Sequence, residues 1–179
     1  MKARSILRSA ILLGTALLTG GCFSGKGTEE IPAVTDFEVQ RYLGVWYEIA
    51  RLPHRFERDL NRVKAEYTVD SNGTLRVVNS GERDGERREA IGVARFKGER
   101  TVGELEVSFF RPFYGDYRII RLAPDYRYAV VTSGTMEYLW ILARTPQLPE
   151  AEKKELIEYA RNLGFPVENL EFPIQDPAR

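Results

Sequence analysis

The sequence predicts an all-β fold of eight antiparallel strands followed by one α-helix. Segments of alternating polar and apolar residues repeat after residue 41, short turn-forming runs separate them, and an amphipathic helical pattern appears only after residue 148. Eight short antiparallel strands with tight connections suit either a closed up-and-down barrel or a sandwich. The chain of 179 residues has the size of one domain.

The first predicted strand lies in residues 41–52, where Gly44 and Trp46 share one face because they are two residues apart. The second covers 63–69 and ends in a turn signal at 70–73. The next six strands are predicted at residues 74–80, 89–97, 104–109, 117–122, 126–133 and 136–144. Two of the connections stand out, a polar turn at 81–88 and an aromatic loop at 109–117.

The helix is predicted at residues 149–163. Pro149 suits a first helical turn, and the glutamates that follow it favour the positive end of the helix dipole. Leu156, Ala160 and Leu163 form an apolar stripe, and Gly164 suits the C-terminal end. The stripe should pack against the outside of the sheet. Residues 169–174 are expected to be extended.

Residues 1–21 have the pattern of a secretory signal, in which basic residues precede an apolar run at 10–18 that is too short to span a bilayer. Small residues then lead to Cys22, the only cysteine of the chain. This resembles a bacterial lipobox, which implies that Cys22 is acylated, although Thr19 stands where leucine is commoner. The alternative is an ordinary signal peptide followed by an incidental cysteine.

Removal of the signal would leave 23 basic against 26 acidic residues, so acyl chains rather than charge would hold the protein to a membrane. Phe23 after the cysteine resembles sorted lipoproteins and implies the outer membrane. Residues 22–36 are expected to be the lipidated cysteine and a flexible tether, because the segment from 24 to 35 is rich in small and polar residues.

The composition excludes several classes of function. The 26 basic and 26 acidic residues balance, so no basic surface points to nucleic acid. A single cysteine excludes an intrachain disulfide, and together with the single histidine it leaves little for a metal site. Neither Ser108 nor Ser133 has a second histidine to serve it, and His54 in a loop is more typical of a surface residue than of a catalyst. We therefore expect no enzyme, metal or cofactor.

Alternation along the strands predicts an apolar, tyrosine-rich inner face. Its candidates are Ala50, Ala65, Tyr67, Leu75, Val77, Phe109, Tyr117, Ile119, Tyr128, Val130, Tyr138, Trp140 and Leu142. Such a lining suits a pocket for an acyl chain, but the same side chains can equally fill the interior. Glu48 shares the face of Trp46, so it should be buried and either paired or protonated. It either belongs to a structural polar network or fixes a ligand head group.

Three short motifs resemble those of the lipocalin family. Gly44 and Trp46 resemble the first motif, and residues 123–126, with Asp125 and Tyr126, resemble the second. Arg144 resembles the third, in which an arginine packs across the tryptophan of the first strand. The resemblance covers about residues 37–175, and the segments 42–51, 54–58 and 109–115 are similar to the bacterial outer-membrane lipocalins. The chain departs from eukaryotic members in lacking paired cysteines.

This resemblance implies a closed eight-stranded up-and-down barrel with the helix outside, whose five motif residues are structural. The residues expected to line a ligand site toward the open end are Ala50, Tyr67, Leu75, Val77, Phe109, Tyr117, Tyr128, Tyr138 and Trp140. The ligand would be a fatty acid or lysophospholipid, held at the periplasmic face of the outer membrane for transport, storage or membrane maintenance. The alternatives are a structural lipoprotein with a filled barrel and a barrel enzyme acting on lipid.

The loops at residues 53–60 and 109–117 carry an excess of aromatic side chains and would lie at the open end in this topology. They could line the mouth, touch the membrane or form the contact of a homodimer.

Overall fold

A computed structural model describes residues 27–176, and they form a closed antiparallel barrel in which strand order equals chain order. The predicted up-and-down barrel is therefore confirmed. Its strands are β1 (Gly44–Arg51), β2 (Asn61–Val69), β3 (Leu75–Arg83), β4 (Glu86–Phe96), β5 (Glu104–Phe110), β6 (Phe113–Leu122), β7 (Tyr128–Thr132) and β8 (Leu139–Ala143). The helices are α1 (Val39–Tyr42), α2 (Glu150–Asn162) and a 3-10 helix at Val167–Asn169. None of these helices is long and apolar enough to cross a membrane.

The two ends of the barrel differ. The helix α1 covers one end, here called the closed end, where the β2–β3, β4–β5 and β6–β7 turns also lie. The β1–β2, β3–β4, β5–β6 and β7–β8 connections surround the opposite, open end. The sequence did not predict α1, because residues 41 and 42 were assigned to the first strand. The strand in fact begins at Gly44, whose φ of 91° turns the chain from the helix into β1.

Two predicted loops are β-hairpins. The predicted turn at 81–88 is wrong, because β3 and β4 run on until only Asp84 and Gly85 separate them, with φ angles of 53° and 78° that suit a two-residue hairpin turn. The polar residues there pair across the strands, Arg83 opposite Glu86 and the preceding glutamate opposite the next arginine. The predicted loop at 109–117 is likewise the end of β5 and the start of β6, joined through residues 111 and 112.

A bulge in β1 changes which residues face inward. The register against β8 shifts between Glu48 and Ala50, so that Ala50 lies opposite Ile141 and Arg51 lies opposite Trp140. Ile141 belongs to the apolar cluster outside the barrel and Trp140 packs on the cluster inside it. The expectation that Ala50 lines the interior is therefore wrong, and Arg51 takes the inward position beside Glu48.

The apolar residues form two cores, one on each face of the sheet. The inner cluster fills the closed half of the barrel and includes Trp46, Tyr67, Leu105, Ile119 and Leu142. The outer cluster lies under α2, which buries Leu156 and Ala160 against the sheet. The helix is one residue shorter at each end than predicted, since Pro149 is its N-cap and Leu163 its C-cap.

The N-terminal segment contradicts part of the predicted tether. Residues 27–36 lie along the barrel, with Thr28 and Ile31 buried. The amide of Val34 donates to the Ile119 carbonyl at 2.9 Å, and the Arg118 guanidinium donates to the carbonyls of Thr28 and Ile31 at 2.9 and 2.7 Å. Cys22 and the predicted signal lie outside the described residues.

The C-terminal segment completes the barrel wall where β1 and β2 separate. These strands pair only from Gly44 to Tyr47, so their open-end halves leave a gap. The side-chain amide of Gln175 donates to the Glu48 carbonyl of β1 at 2.8 Å and to the Val63 carbonyl of β2 at 2.9 Å. Glu171 exchanges backbone hydrogen bonds with Arg51 at 2.8 and 3.0 Å. The segment predicted to be extended thus bridges two strands.

Candidate functional site

The floor of the barrel is built on Trp46 and Arg144. The Arg144 guanidinium carbon lies 3.9 Å from the centroid of the Trp46 ring, which is fully buried. The indole Nε1 donates to the Tyr42 carbonyl at 2.8 Å. A Cβ on Gly44 would lie 3.5 Å from Nη1 of Arg144, and the positive φ of Gly44 further disfavours a side chain there. These residues close the barrel rather than line its opening.

The second motif lies at the same end. Tyr126 has a φ of 62°, and its hydroxyl accepts a hydrogen bond from the Glu38 amide at 2.9 Å, just before α1. The guanidinium of Arg41 lies 4.1 Å from the Tyr126 ring centroid. Asp125 is exposed and pairs with Arg127 at 2.9 Å. The structure therefore brings the motif residues together at the closed end, away from the mouth.

Three tyrosine hydroxyls form a hydrogen-bonded group above this floor. Tyr67 donates to the Tyr117 hydroxyl at 2.9 Å, and the hydroxyls of Tyr42 and Tyr117 are 2.7 Å apart. Burial raises the pKa of all three phenols, so they remain neutral hydrogen-bonding groups at ordinary pH. This group is the polar boundary between the packed half of the barrel at the closed end, here called the lower half, and the half at the open end, here called the upper half.

The upper half is accessible to solvent from the open end. Four inward-facing apolar or aromatic residues there are only partly buried, namely Ala65, Val107, Tyr117 and Trp140. Gly115 lies opposite Val107 on the inner face, and a Cβ built on it would meet no other atom within 4 Å. Gly115 is itself exposed, so the space next to this part of β6 is open and reached by solvent from the mouth.

The predicted lining residues divide between three locations. Tyr67, Leu75, Val77, Tyr117 and Trp140 belong to the inner cluster or pack against it. Tyr138 lies 5.9 Å from the Trp140 ring just before β8, and Phe109 lies against Gly92 at the end of β5 with 45% of its surface exposed. Both therefore belong to the rim of the opening.

Tyr128, predicted to line the interior, instead packs against the outer cluster together with Val130. The neighbours Ala129 and Val131 take the inward positions of β7. The strand is apolar on both faces, because α2 covers its outside. Alternation alone therefore gave no means of choosing the inward face.

One wall of the upper half is charged. Nη1 of Arg51 lies 2.7 Å from Glu48 Oε1, and both side chains are almost fully buried. Nη2 of Arg51 also reaches Glu171 of the C-terminal segment at 2.9 Å. Burial, and next the neighbouring Glu57 carboxylate, raise the pKa of Glu48 well above its usual range despite the attraction of Arg51.

Glu57, His54 and Trp140 extend this wall toward the rim. Oε2 of Glu57 lies 2.8 Å from His54 Nε2 and accepts a hydrogen bond from Trp140 Nε1 at 3.1 Å. Burial disfavours the charged form of Glu57, but its bonds to His54 and Trp140 and the nearby Arg51 outweigh this and lower its pKa. The His54 ring lies 5.3 Å from that of Trp140, so the loop histidine is part of the site and not a surface residue.

Asn79 is a polar member of the inner face and is not among the residues predicted from the sequence. It lies opposite Ala65 on the inward side of β3, and its buried Oδ1 has no hydrogen-bond partner among the described residues. The sequence did contain a signal for its position, because Asn79 continues the alternating series of Leu75 and Val77 and should therefore share their inward face. A buried amide oxygen without a protein partner can bind a water molecule or a ligand hydroxyl that reaches it.

The arrangement provides a binding surface more readily than a catalytic one. Within residues 27–176, no group of three histidine, cysteine, aspartate or glutamate side chains is placed to hold a metal ion. The ionisable groups of the wall are engaged with one another in the buried pairs described above.

Comparisons with known proteins agree with this architecture. A family model described as a lipocalin-like domain matches residues 37–175. The chain is 42% identical over 167 residues to outer membrane lipoprotein Blc of Vibrio cholerae, covering 92% of this chain and 96% of that protein. It is 43% identical over 154 residues to the protein of the same name from Escherichia coli K12, covering 85% and 87%.

More distant proteins extend the same comparison. Rat apolipoprotein D is 37% identical over 158 residues, covering 82% of each chain. Insecticyanin from the tobacco hornworm Manduca sexta superposes with a TM-score of 0.67 at 19% identity, covering 82% of this chain and 85% of the other. At that identity the likeness concerns the fold alone.

Proposed function

Since the chain belongs to the lipocalin family, we propose that it is a lipid-binding outer-membrane lipoprotein. Its ligand is a fatty acid or lysophospholipid, whose acyl chain occupies the upper half of the barrel. Binding removes the lipid from water for transport, storage or membrane maintenance, and no covalent step is involved.

The free space beside Gly115 carries this proposal. Val107 lies opposite Gly115 and Tyr117 is two residues further along β6. Both are partly exposed although they point inward, as is Trp140 on β8. When a ligand covers apolar surface that is in contact with water inside a barrel, the free energy of the system falls, which favours binding. Transfer of an 18-carbon chain from water gives on the order of 10 kcal/mol before ordering costs. Even partial insertion would therefore support micromolar binding.

The charged wall supports an amphipathic ligand rather than a wholly apolar one. The paired Arg51 and the His54 ring make this wall polar, which suits a polar head group near the rim, and Asn79 offers an acceptor to a hydroxyl. An acyl chain below and a polar head group at this wall would match both halves of the site. This assigns Glu48 to a structural network that holds Arg51 in place.

The membrane location rests on Cys22 and on the relatives. Cleavage before Cys22 and acylation of its thiol and amine would anchor the protein, and several acyl chains hold more firmly than one. The relatives named outer membrane lipoprotein support the same compartment, with the barrel on the periplasmic side. Mass spectrometry of the mature protein tests the cleavage and the lipid mass directly.

The binding proposal is tested by filling the free space. Gly115→Phe places a ring inside the barrel and should weaken binding of palmitate and lysophosphatidylcholine by roughly tenfold or more. Gly98→Phe is the matched control, because a Cβ on Gly98 also meets no atom within 4 Å but lies in the exposed β4–β5 turn at the closed end. Equal affinities in both variants, or no uptake by the wild type at micromolar lipid, would refute the proposal.

A structural lipoprotein with a filled barrel is the second candidate. The packed lower half favours it, since Trp46, Val77, Ile119 and Val131 are almost completely buried there. Native mass spectrometry of protein purified from membranes separates the two, because only the lipid-binding protein should carry lipid. Release of altered lipid from that complex would instead indicate an enzyme.

A further inference from the structure

The open rim carries exposed phenylalanines. Phe110 and Phe113 are 77% and 71% exposed at the β5–β6 turn, with Phe109 beside them, and Phe56 is 65% exposed in the β1–β2 loop. The rings of Phe110 and Phe113 are parallel, 6.3 Å apart, and face each other across the hairpin. These two projections, Phe56 and the Phe109–Phe113 turn, are here called the aromatic rim. Large aromatic side chains this exposed commonly mark an interaction surface.

Each projection also carries an arginine. Arg55 lies 4.9 Å from the Phe56 ring centroid, and Arg111 stands between Phe110 and Phe113. Within the described residues, neither arginine has a carboxylate at ion-pair distance, whereas other exposed arginines of the barrel do. Apolar rings with unpaired cations beside them match the boundary between acyl chains and phosphates of a bilayer.

The N-terminal segment reaches the barrel at this same end. Gly27 forms a β-bridge with Thr135, and the Thr28 amide donates to the Gly134 carbonyl at 3.4 Å. Both partners belong to the β7–β8 connection, which is at the open end. Thr28 is almost fully buried there and its hydroxyl donates to the Ser133 carbonyl. The chain that leads back to Cys22 therefore starts beside the mouth.

We propose that the aromatic rim docks onto the bilayer surface, so that the mouth of the barrel opens against lipid. Four residues lie between Cys22 and Gly27, so the five steps from one to the other span at most about 17 Å when extended at ~3.3 Å per residue. An acylated Cys22 thus keeps the β7–β8 side of the mouth near the membrane, and the aromatic rim supplies contacts on other sides. This orientation depends on the proposed acylation, whereas the affinity of the rim for lipid does not.

The docked orientation would give a lipid a short route into the barrel. An acyl chain could pass between bilayer and barrel interior without full exposure to water, because the wet inner surfaces of Val107 and Trp140 lie behind the rim. Exposure of the chain to water is the main cost of transfer for such a ligand. The rim should therefore affect transfer rates more than equilibrium binding.

Spin labels at opposite ends test the orientation. Acylation consumes the only natural thiol, so a cysteine introduced by Phe113→Cys or Ser71→Cys in the mature lipoprotein takes the label alone. Ser71 is exposed in the β2–β3 turn at the closed end and serves as the matched control. Both proteins are placed in vesicles of phosphatidylethanolamine and phosphatidylglycerol, and collisions with oxygen and with a water-soluble nickel complex are measured.

The proposal expects the label at 113 to favour oxygen over nickel and the label at 71 to show the reverse. Labels in water at both positions would overturn it, as would immersion at 71 alone. Spin–spin broadening at 113 would show that a second copy covers the rim, which also overturns the proposal. The same pair in a Cys22→Ser chain added to vesicles measures the affinity of the rim without the anchor.

Transfer kinetics separate this inference from the binding proposal. Replacing Phe110 and Phe113 by serine should slow transfer of a fluorescent fatty acid from vesicles by roughly tenfold, while its equilibrium affinity changes less than about threefold. Val69→Ser is the control, because Val69 is a 40% exposed apolar residue at the closed-end terminus of β2, far along the barrel from the mouth. Slow transfer in the control, or an unchanged rate in the rim variant, contradicts docking. Failure of the wild type to take up lipid refutes only the binding proposal, since the spin-label result stands apart from it.

Discussion

Arg144 holds the closed end together through more than its contact with Trp46. Its guanidinium donates to the carbonyls of Val45 and Arg41 at 2.9 and 2.6 Å, and Nε donates to that of Tyr126 at 3.3 Å. These carbonyls belong to β1, to α1 and to the β6–β7 turn. The family motifs predicted the contact with the tryptophan, but the carbonyl contacts depend on α1, which no pattern in the sequence indicated.

Arg144→Ala should therefore destabilise the fold while leaving the ligand site intact. We expect the free energy of unfolding to fall by roughly 2–4 kcal/mol, because the cation–π contact is lost and three carbonyls lose a donor. Chemical denaturation measures this, and Arg127→Ala on an exposed ion pair is the control. Unchanged stability together with lost lipid affinity would contradict a structural role for Arg144.

Glu48 gives the stability a distinctive dependence on pH. Because its pKa in the folded protein lies above its ordinary value of 4.5, folding favours its protonated form. The wild type should then lose stability as the pH rises from 4.5 through the raised pKa of Glu48. Glu48→Gln cannot lose a proton, so its stability relative to the wild type should improve with pH across that window.

Denaturation at a series of pH values checks this difference. Glu66→Gln on the exposed side of β2 is the control and should show no such trend. A difference between Glu48→Gln and the wild type that stays flat or falls as the pH rises would mean that the pKa of Glu48 is not raised.

Inward and outward positions were predictable only where a strand has one wet face. Alternation placed Tyr67, Leu75 and Val77 correctly, because exposed polar residues lie between them. Alternation gave the wrong face for Ala50, because a bulge shifts the register of β1 there and no residue type in the sequence indicates it. At Tyr128 the alternation could not identify the inward face, because β7 carries apolar residues on both faces.

At the scale of elements, the C-terminal segment replaces part of a β-ladder. One side chain, that of Gln175, bridges β1 and β2 where their backbones no longer pair. The sequence predicted an extended segment but could not locate it, because its position depends on where two distant strands diverge. The same limit applies to the hairpins at 84–85 and 111–112, where polar and aromatic residues belong to strands that extend beyond the apolar core.

Removal of the Gln175 side chain should loosen the wall at this point. Gln175→Ala leaves the carbonyls of Glu48 and Val63 without their donor, so we expect a loss of roughly 1–3 kcal/mol. Amide exchange along the open-end halves of β1 and β2 should also accelerate, whereas β5 and β6 should be unaffected. Uniform acceleration over all strands would indicate global destabilisation instead, and Gln147→Ala in the exposed β8–α2 connection controls for the loss of a glutamine.

At the scale of the whole molecule, the closed barrel was the most predictable feature. Eight alternating segments and one late helix narrowed the fold to two architectures, and the three motifs selected the barrel. Whether the barrel is filled was not predictable, because Tyr117 and Trp140 can either pack together or border a cavity. That depends on how far the opposite strands stand apart, which sequence alternation does not encode.

Ligand binding in the upper half should stabilise the whole barrel. A lipid present at about 100 times its dissociation constant adds about 2.7 kcal/mol to the free energy of unfolding if it binds only the folded state. Thermal melts with and without lysophospholipid measure the shift, and the Gly115→Phe variant should show little of it. A shift of equal size in that variant would place the stabilising ligand elsewhere.

The positions of Gly27 and Asp176, the first and last residues that the structure describes, bear on how the molecule can be handled. Gly27 lies beside the β7–β8 connection, and Asp176 contacts Arg62 at the open half of β2 at 2.7 Å. A bulky label or a sensor-chip linkage attached at either of these residues would thus crowd the entrance and depress apparent lipid uptake. The hairpin turn around Ser71, at the opposite pole, is the better attachment point for immobilisation or for a reporter dye.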